Sequence, residues 1–296
     1  MTVITTENLV KTFGAVRALD GLDLSVDQGE VHGFLGPNGA GKSTTIRILL
    51  GLMRHDSGVA RLFERDPWRD AVSLHRRLAY VPGDVMLWPG LTGGQCIDVL
   101  AGAHGGINTA RRDDLVERFE LDPSKKSRSY SKGNRQKVSL VAALSTDVEL
   151  LILDEPTAGL DPLMERVFQD VITARKAEGV TVLLSSHIMG EVEALADQVS
   201  IIREGRLASS GSLADLRRHT RSHVHAITQR RPEFPPGADF RLSEAGERIQ
   251  VNGSVEADHV SGLVVSLHAA GLYTLTVTPP SLDDLFLTNY AEEDPR

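Results

Sequence analysis

The sequence predicts an α/β fold, a doubly wound parallel sheet flanked by helices. Three observations carry this. Residues 150–153 form a wholly apolar run, as expected of a strand buried on both faces. Strand-like and helical patterns alternate from about residue 31 to residue 202. A glycine-rich stretch at residues 36–43 separates one short apolar strand from a helix. Around this core, over residues 1–213, the pattern predicts an antiparallel β subdomain and a helical subdomain at about residues 84–147. A small accessory α+β domain is expected over residues 214–296.

Taken in order, residues 2–31 show short apolar alternations broken by Asp20-Gly21 and Gln28-Gly29, which read as strands with tight turns. Residues 31–35 form a strand, and residues 42–50 a helix with Ile46, Leu49 and Leu50 at helical spacing. Helix formers dominate residues 82–143, with loops at Pro89-Gly90, Gly105-Gly106 and Asp122-Pro123. Strands follow at residues 150–153, 180–185 and 198–202. Composition shifts after Gly211. A Pro-rich loop at residues 230–237 precedes strand patterns at 248–251 and 272–277, with a helical pattern between them and a last helix from Pro280-Ser281. No internal repeat is apparent.

The 296 residues can bury a large core and leave room for a second, smaller domain. The composition, 41% hydrophobic and 24% charged, is that of a soluble globular protein. A net charge of −8 argues against a nucleic-acid partner, which calls for a basic excess. The single cysteine, Cys96, excludes an internal disulfide and reads as a small packed hydrophobe. No run approaches the roughly 18 apolar residues of a membrane span, and the first residues have no signal-peptide core. The expectation is a soluble chain that reaches a membrane only through a partner.

Gly36-Pro37-Asn38-Gly39-Ala40-Gly41-Lys42-Ser43 matches G-x-x-x-x-G-K-[ST] between a strand and a helix, with Thr44 following. Glycines let such a loop curl so that successive N–H groups face phosphate oxygens, and the helix N-terminus adds its dipole. Lys42 is expected to reach the β- and γ-phosphates of ATP, and the Ser43 hydroxyl to bind Mg²⁺. This is a P-loop NTPase core. The strand at residues 150–153 ends in Asp154 and Glu155, where an open α/β sheet places its ligand. Asp154 is the expected Mg²⁺ partner, and Glu155 the group that orients the attacking water or accepts its proton.

The run from Asp154 through Glu155-Pro156-Thr157-Ala158-Gly159-Leu160 to Asp161-Pro162 resembles the Walker B and D-loop of ATP-binding cassette (ABC) ATPases. The family's other elements follow in order. Phe13 is similar to its adenine-stacking aromatic, and residues 130–137 stand where the family carries its signature. His187 looks like the switch histidine that contacts the γ-phosphate. The resemblance covers residues 2–213. It implies two nucleotide-binding domains, expected to be two copies of this chain, that sandwich ATP between the P-loop of one and Ser131 and Gly133 of the other. It also implies an integral membrane permease partner, and a peripheral place at the cytoplasmic face of the cell membrane. Residues 80–93, 130–137 and 280–287 further resemble bacterial drug and polyketide-antibiotic exporters of the daunorubicin-resistance kind.

Two departures stand out. Gly83 occupies the position of the family's Q-loop glutamine, and Asp84 beside it is the candidate to supply the missing oxygen to Mg²⁺. The signature reads Ser-Lys-Gly-Asn, so Lys132 reads equally as a cation facing phosphate across the dimer and as a solvated lysine. His219, His223 and His225 read as a solvated linker rather than a metal site, having no carboxylate or cysteine at matching spacing. Trp68 and Trp88 read as packing residues, with Trp88 able to anchor a contact if exposed. Against the transport ATPase stand a translation or repair ATPase and a module that grips ATP without cutting it. One P-loop and the absence of heptads between Ser43 and Asp154 oppose the former, and Glu155 with His187 the latter.

Overall fold

The computed structural model describes residues 1–103, 106–218, 221–234, 239–246 and 248–278. The chain divides into two compact units, Met1–Ser210 and Gly211–Arg296.

The first unit opens with β1 (Thr2–Phe13) and β2 (Val16–Asp27), an antiparallel hairpin closed at Gly14-Ala15. Asp20-Gly21, expected as a turn, instead lies inside β2. The pairing of β1 with β2 shifts register between Leu9, opposite Leu22, and Val10, opposite Asp20, and the intervening Gly21 takes a positive φ of 80°. Asp20-Gly21 is thus absorbed into a long irregular strand. Then come β3 (Val31–Leu35), α1 (Lys42–Leu49) and β4 (Ser57–Leu62), which returns to pair with β1 in a three-stranded sheet of order β2-β1-β4. A short α2 (Ala71–Leu74) leads to β5 (Leu78–Val81).

Three helices follow: α3 (Gly93–Gly102), α4 (Thr109–Arg118) and α5 (Lys132–Leu144). Thr92 starts α3 with a capping box, its hydroxyl accepting from the Gln95 N–H while the Gln95 side chain accepts from the Thr92 N–H. Cys96 is wholly buried in α3, and burial pushes its thiol up. Next are β6 (Leu150–Asp154), α6 (Pro162–Ala177), β7 (Thr181–Ser186), α7 (Met189–Leu195), β8 (Gln198–Arg203) and β9 (Arg206–Ser212).

The six-stranded sheet has the order β5-β6-β7-β3-β8-β9, and its first five strands run parallel. Every residue of β3, β6 and β7 is buried, which explains why these strands read as apolar runs without alternation. Register decides where the site lies. Val81 pairs with Leu153, Asp154 with Ser185, and Leu35 with Ser186. The loops leaving β5, β6, β7 and β3 therefore emerge side by side at one sheet edge, the ligand edge of open α/β folds.

The second unit holds α8 (Leu213–Arg218), β10 (Arg221–Thr228), β11 (Asp239–Ala245), β12 (Arg248–Glu256), α9 (Val260–Ala269) and β13 (Leu272–Thr278). Its antiparallel sheet has the order β11-β12-β10-β13. Val224, Ala226, Val251 and Val255 pack with Leu263 and Leu267 of α9 to form its core. The linker reading of His223 and His225 is corrected here: both stand at exposed positions of β10, alternating with buried Ser222, Val224 and Ala226. His225 Nε2 meets the Gln250 amide at 2.9 Å, and no metal-binding cluster exists among the described residues. His219 and the helix expected from Pro280-Ser281 lie outside the described residues.

Candidate functional site

The loop between β3 and α1 is shaped by a backbone that tolerates no side chain at Gly41. Its φ is 115°, and a Cβ there would sit 2.7 Å from Leu19 Cδ2 and 2.8 Å from the Ala18 carbonyl. Ala40 and Gly36 are buried, Pro37 is half-buried, and Asn38 and Gly39 are exposed. Lys42 is only 5% exposed, and its ammonium donates to the Gly36 and Pro37 carbonyls at 2.5 and 3.2 Å. Burial lowers its pKa, while the charges of Glu155 and Asp154 oppose that shift. The loop thus folds around its own buried cation. Ser43 faces outward at the helix start, with Thr44 half-buried beside it.

Asp154 ends β6 and is buried. One carboxylate oxygen accepts from the Ser43 hydroxyl at 3.2 Å and the other from the Ser185 hydroxyl at 2.5 Å. Glu155 follows with φ at 48°, a left-handed conformation that is uncommon outside glycine and costs on the order of 1–3 kcal/mol. The turn aims its side chain out of the sheet, and Glu155 Oε1 lies 3.0 Å from His187 Nδ1. Gly83 stands against this turn, since a Cβ on it would lie 3.2 Å from the Asp154 carbonyl and 3.6 Å from Glu155 Cβ. Asp84 is exposed beside it.

Bonds therefore join Ser43, Asp154 and Ser185, and a second contact joins Glu155 to His187. Other expected residues enter through neighbours of their own. Phe13 is 46% exposed at the end of β1, with the Lys11 ammonium 5.5 Å from its ring centre. Ser131 is the N-cap of α5, accepting from the Asn134 N–H at 3.2 Å. Gly133 lies on Gly159: a Cβ there would be 2.4 Å from its carbonyl oxygen. Lys132 is exposed, its stem passing close to Gly159.

Residues 19–158 match the family model described as ABC transporter. A daunorubicin resistance ATP-binding protein of Streptomyces coeruleorubidus is 34% identical over 97% of this chain and 95% of its own. The chain belongs to the ABC transporter ATP-binding proteins. A bacitracin transport ATP-binding protein of Bacillus licheniformis is 34% identical over 75% of this chain and 74% of its own. The solved ATP binding subunit of an ABC transporter superposes with a TM-score of 0.69 at 32% identity, covering 73% of this chain and 92% of that one. A dimeric bacterial ABC transporter cassette shares the fold, with a TM-score of 0.64 at 21% identity over 71% of this chain and 98% of its own.

This ABC ATPase also uses residues that its sequence did not single out. Ser185 holds Asp154 from β7, and Gln136, only 1% exposed on α5, donates to the Pro156 carbonyl at 2.9 Å. Their signal was present but local: Ser185 and Ser186 are two hydroxyls closing an apolar strand just before His187. The packing reading of the tryptophans is corrected, because Trp68 is 41% and Trp88 47% exposed, with Arg54 stacked on Trp68. Among the described residues no helix is long and apolar enough to cross a membrane.

Proposed function

We propose that this ABC ATPase drives export of a drug-like or antibiotic substrate through a separate integral membrane permease, working as a pair of cassettes at the cytoplasmic face of the cell membrane. The names of its drug-resistance and bacitracin-transport relatives support the cargo class. The contact that carries the chemical reading is the Ser43–Asp154 hydrogen bond, which ties the phosphate loop to the strand-end carboxylates.

ATP is the substrate. The loop over residues 36–43 offers its N–H groups to the phosphates, and Lys42 is already stripped of water there and held by two carbonyls that phosphate oxygens can replace. Phe13 offers an exposed ring to adenine. Ser43 and Asp154 form a hard oxygen donor set that fits Mg²⁺, with Asp84 as a further candidate ligand. When bound, Mg²⁺ supplies charge neutralisation on the phosphates. Glu155 orients the attacking water and takes its proton, and His187 holds the Glu155 carboxylate on one side. Ser131 and Gly133 serve the nucleotide of the second cassette.

Phosphate release by the purified chain tests this. Lys42→Ala is expected to abolish nucleotide retention, whereas Glu155→Gln is expected to bind ATP and turn over at least about 100-fold more slowly. A Glu155→Gln protein at the wild-type rate would remove Glu155 from the chemistry, and a wild-type chain that binds ATP without releasing phosphate would leave only a module that grips it. Asp84→Ala with unchanged rate and Mg²⁺ dependence would remove Asp84 from the metal set.

A further inference from the structure

The contact between Glu155 and His187 is too open to hold itself. The two side chains are 29% and 48% exposed, and they project from separate strand-end turns. An ion pair or hydrogen bond in such a setting contributes little net order. Something beneath must fix the two turns relative to each other.

The geometry points to Glu191 as that positioning residue. It lies in the first turn of α7 and is 8% exposed. One of its carboxylate oxygens accepts from the Thr157 hydroxyl at 2.5 Å, and the other accepts from the Ser186 hydroxyl at 2.9 Å. Thr157 is two residues after Glu155 and 5% exposed, and Ser186 is the residue before His187 and 2% exposed. Ser186 Oγ also accepts from the Ile188 N–H at 2.9 Å, which closes the turn around His187. A single buried carboxylate therefore joins the chain just after the proposed water-orienting residue to the chain just before its histidine partner.

A carboxylate suits this task. It is acceptor-only, so both oxygens take a hydroxyl at once, and hydrogen bonds to an ionised acceptor are shorter and stronger than neutral ones. Ser185 and Ser186 divide the work at the end of β7. The first hydroxyl orients Asp154 and the second reports to Glu191. Displacing a reacting group by about 1 Å costs on the order of 100-fold in rate, so the clamp acts on turnover while leaving the phosphate loop untouched.

The inference rests on the hydrolytic reading of Glu155, and the full-length chain tests both. In steady-state phosphate release, Glu191→Ala is expected to lower kcat about 10- to 100-fold with KM for ATP within about threefold. Glu191→Gln keeps one acceptor oxygen and is expected to recover part of the loss. Adding Glu191→Ala to His187→Ala should cost little beyond His187→Ala alone, because the clamp works through that pair. An unchanged kcat, a KM that rises in step, or losses that multiply in the double variant would each overturn the proposal. Thr157→Val and Ser186→Ala each remove one bond with little change of volume, so they decide the matter if Glu191→Ala fails to fold: both at wild-type kcat refute the clamp. Should Glu155→Gln retain the wild-type rate, the hydrolytic reading falls first. Should Glu155→Gln stop turnover while Glu191→Ala does not, the clamp alone falls.

Discussion

At the scale of single residues, the candidate site was legible wherever chemistry forces one residue type. Lys42, Ser43, Asp154 and Glu155 announce themselves because a phosphate loop and a strand-end acidic pair admit few substitutes. What could not be read is which neighbour each side chain meets. Ser185 and Glu191 matter through hydrogen bonds to residues about 30 positions away in the chain, and spacing along a sequence does not encode such contacts. Gly133 illustrates the same limit. Its place in the signature points to nucleotide across a dimer, but its immediate neighbour in the fold is Gly159 of the same chain. Gly133→Ala would put a methyl carbon 2.4 Å from the Gly159 carbonyl oxygen, so one backbone must shift. Overpacking of this kind costs about 1–3 kcal/mol. A thermal melt should register that loss, with slower ATP turnover as the segment after Glu155 moves. Wild-type melting and turnover together would show that the contact yields freely.

At the scale of elements, strands buried on both faces were read well and irregular strands were not. The mostly apolar runs that became β3, β6 and β7 fit strands covered on both faces, as in a parallel sheet. In β2, Asp20-Gly21 carries a turn's composition but a strand's geometry, because pairing with β1 satisfies the backbone around it. The helix α5 shows how an element end can hold two roles at once. Ser131 caps it structurally, accepting from the Asn134 N–H, while the proposed function asks the same hydroxyl to meet the nucleotide of a second cassette. Ser131→Ala removes both and should lower stability by about 1 kcal/mol. Aspartate caps a helix as well as serine does, yet brings a negative charge to a place meant for phosphate. Ser131→Asp should therefore melt like the wild type while losing ATP-dependent pairing and turnover. A Ser131→Asp protein as active as the wild type would confine this residue to capping.

At the scale of the whole molecule, the core was legible because its order of motifs is fixed by chain direction, while the second unit was half-hidden. There β12 and β13 showed in the sequence, but β10 was masked by His223 and His225, whose polar side chains fill its exposed face. A histidine alternating with valine and alanine is a strand signal, and it was outweighed by the appearance of a polar linker. Net charge also acts at this scale. Each copy carries −8, so two copies pairing over nucleotide, as the proposed function has them, would repel one another through solvent. The Debye length is about 20 Å at 25 mM salt and about 8 Å at 150 mM, so added salt removes this long-range repulsion. Contacts formed inside a closed, water-excluded interface are screened far less. Repulsion should therefore be the salt-sensitive term, and Glu155→Gln with Mg²⁺ and ATP should show more dimer at 150 mM than at 25 mM salt by light scattering. A dimer fraction that falls over that range would mean that exposed opposite charges, rather than buried contacts to nucleotide, hold the two copies together.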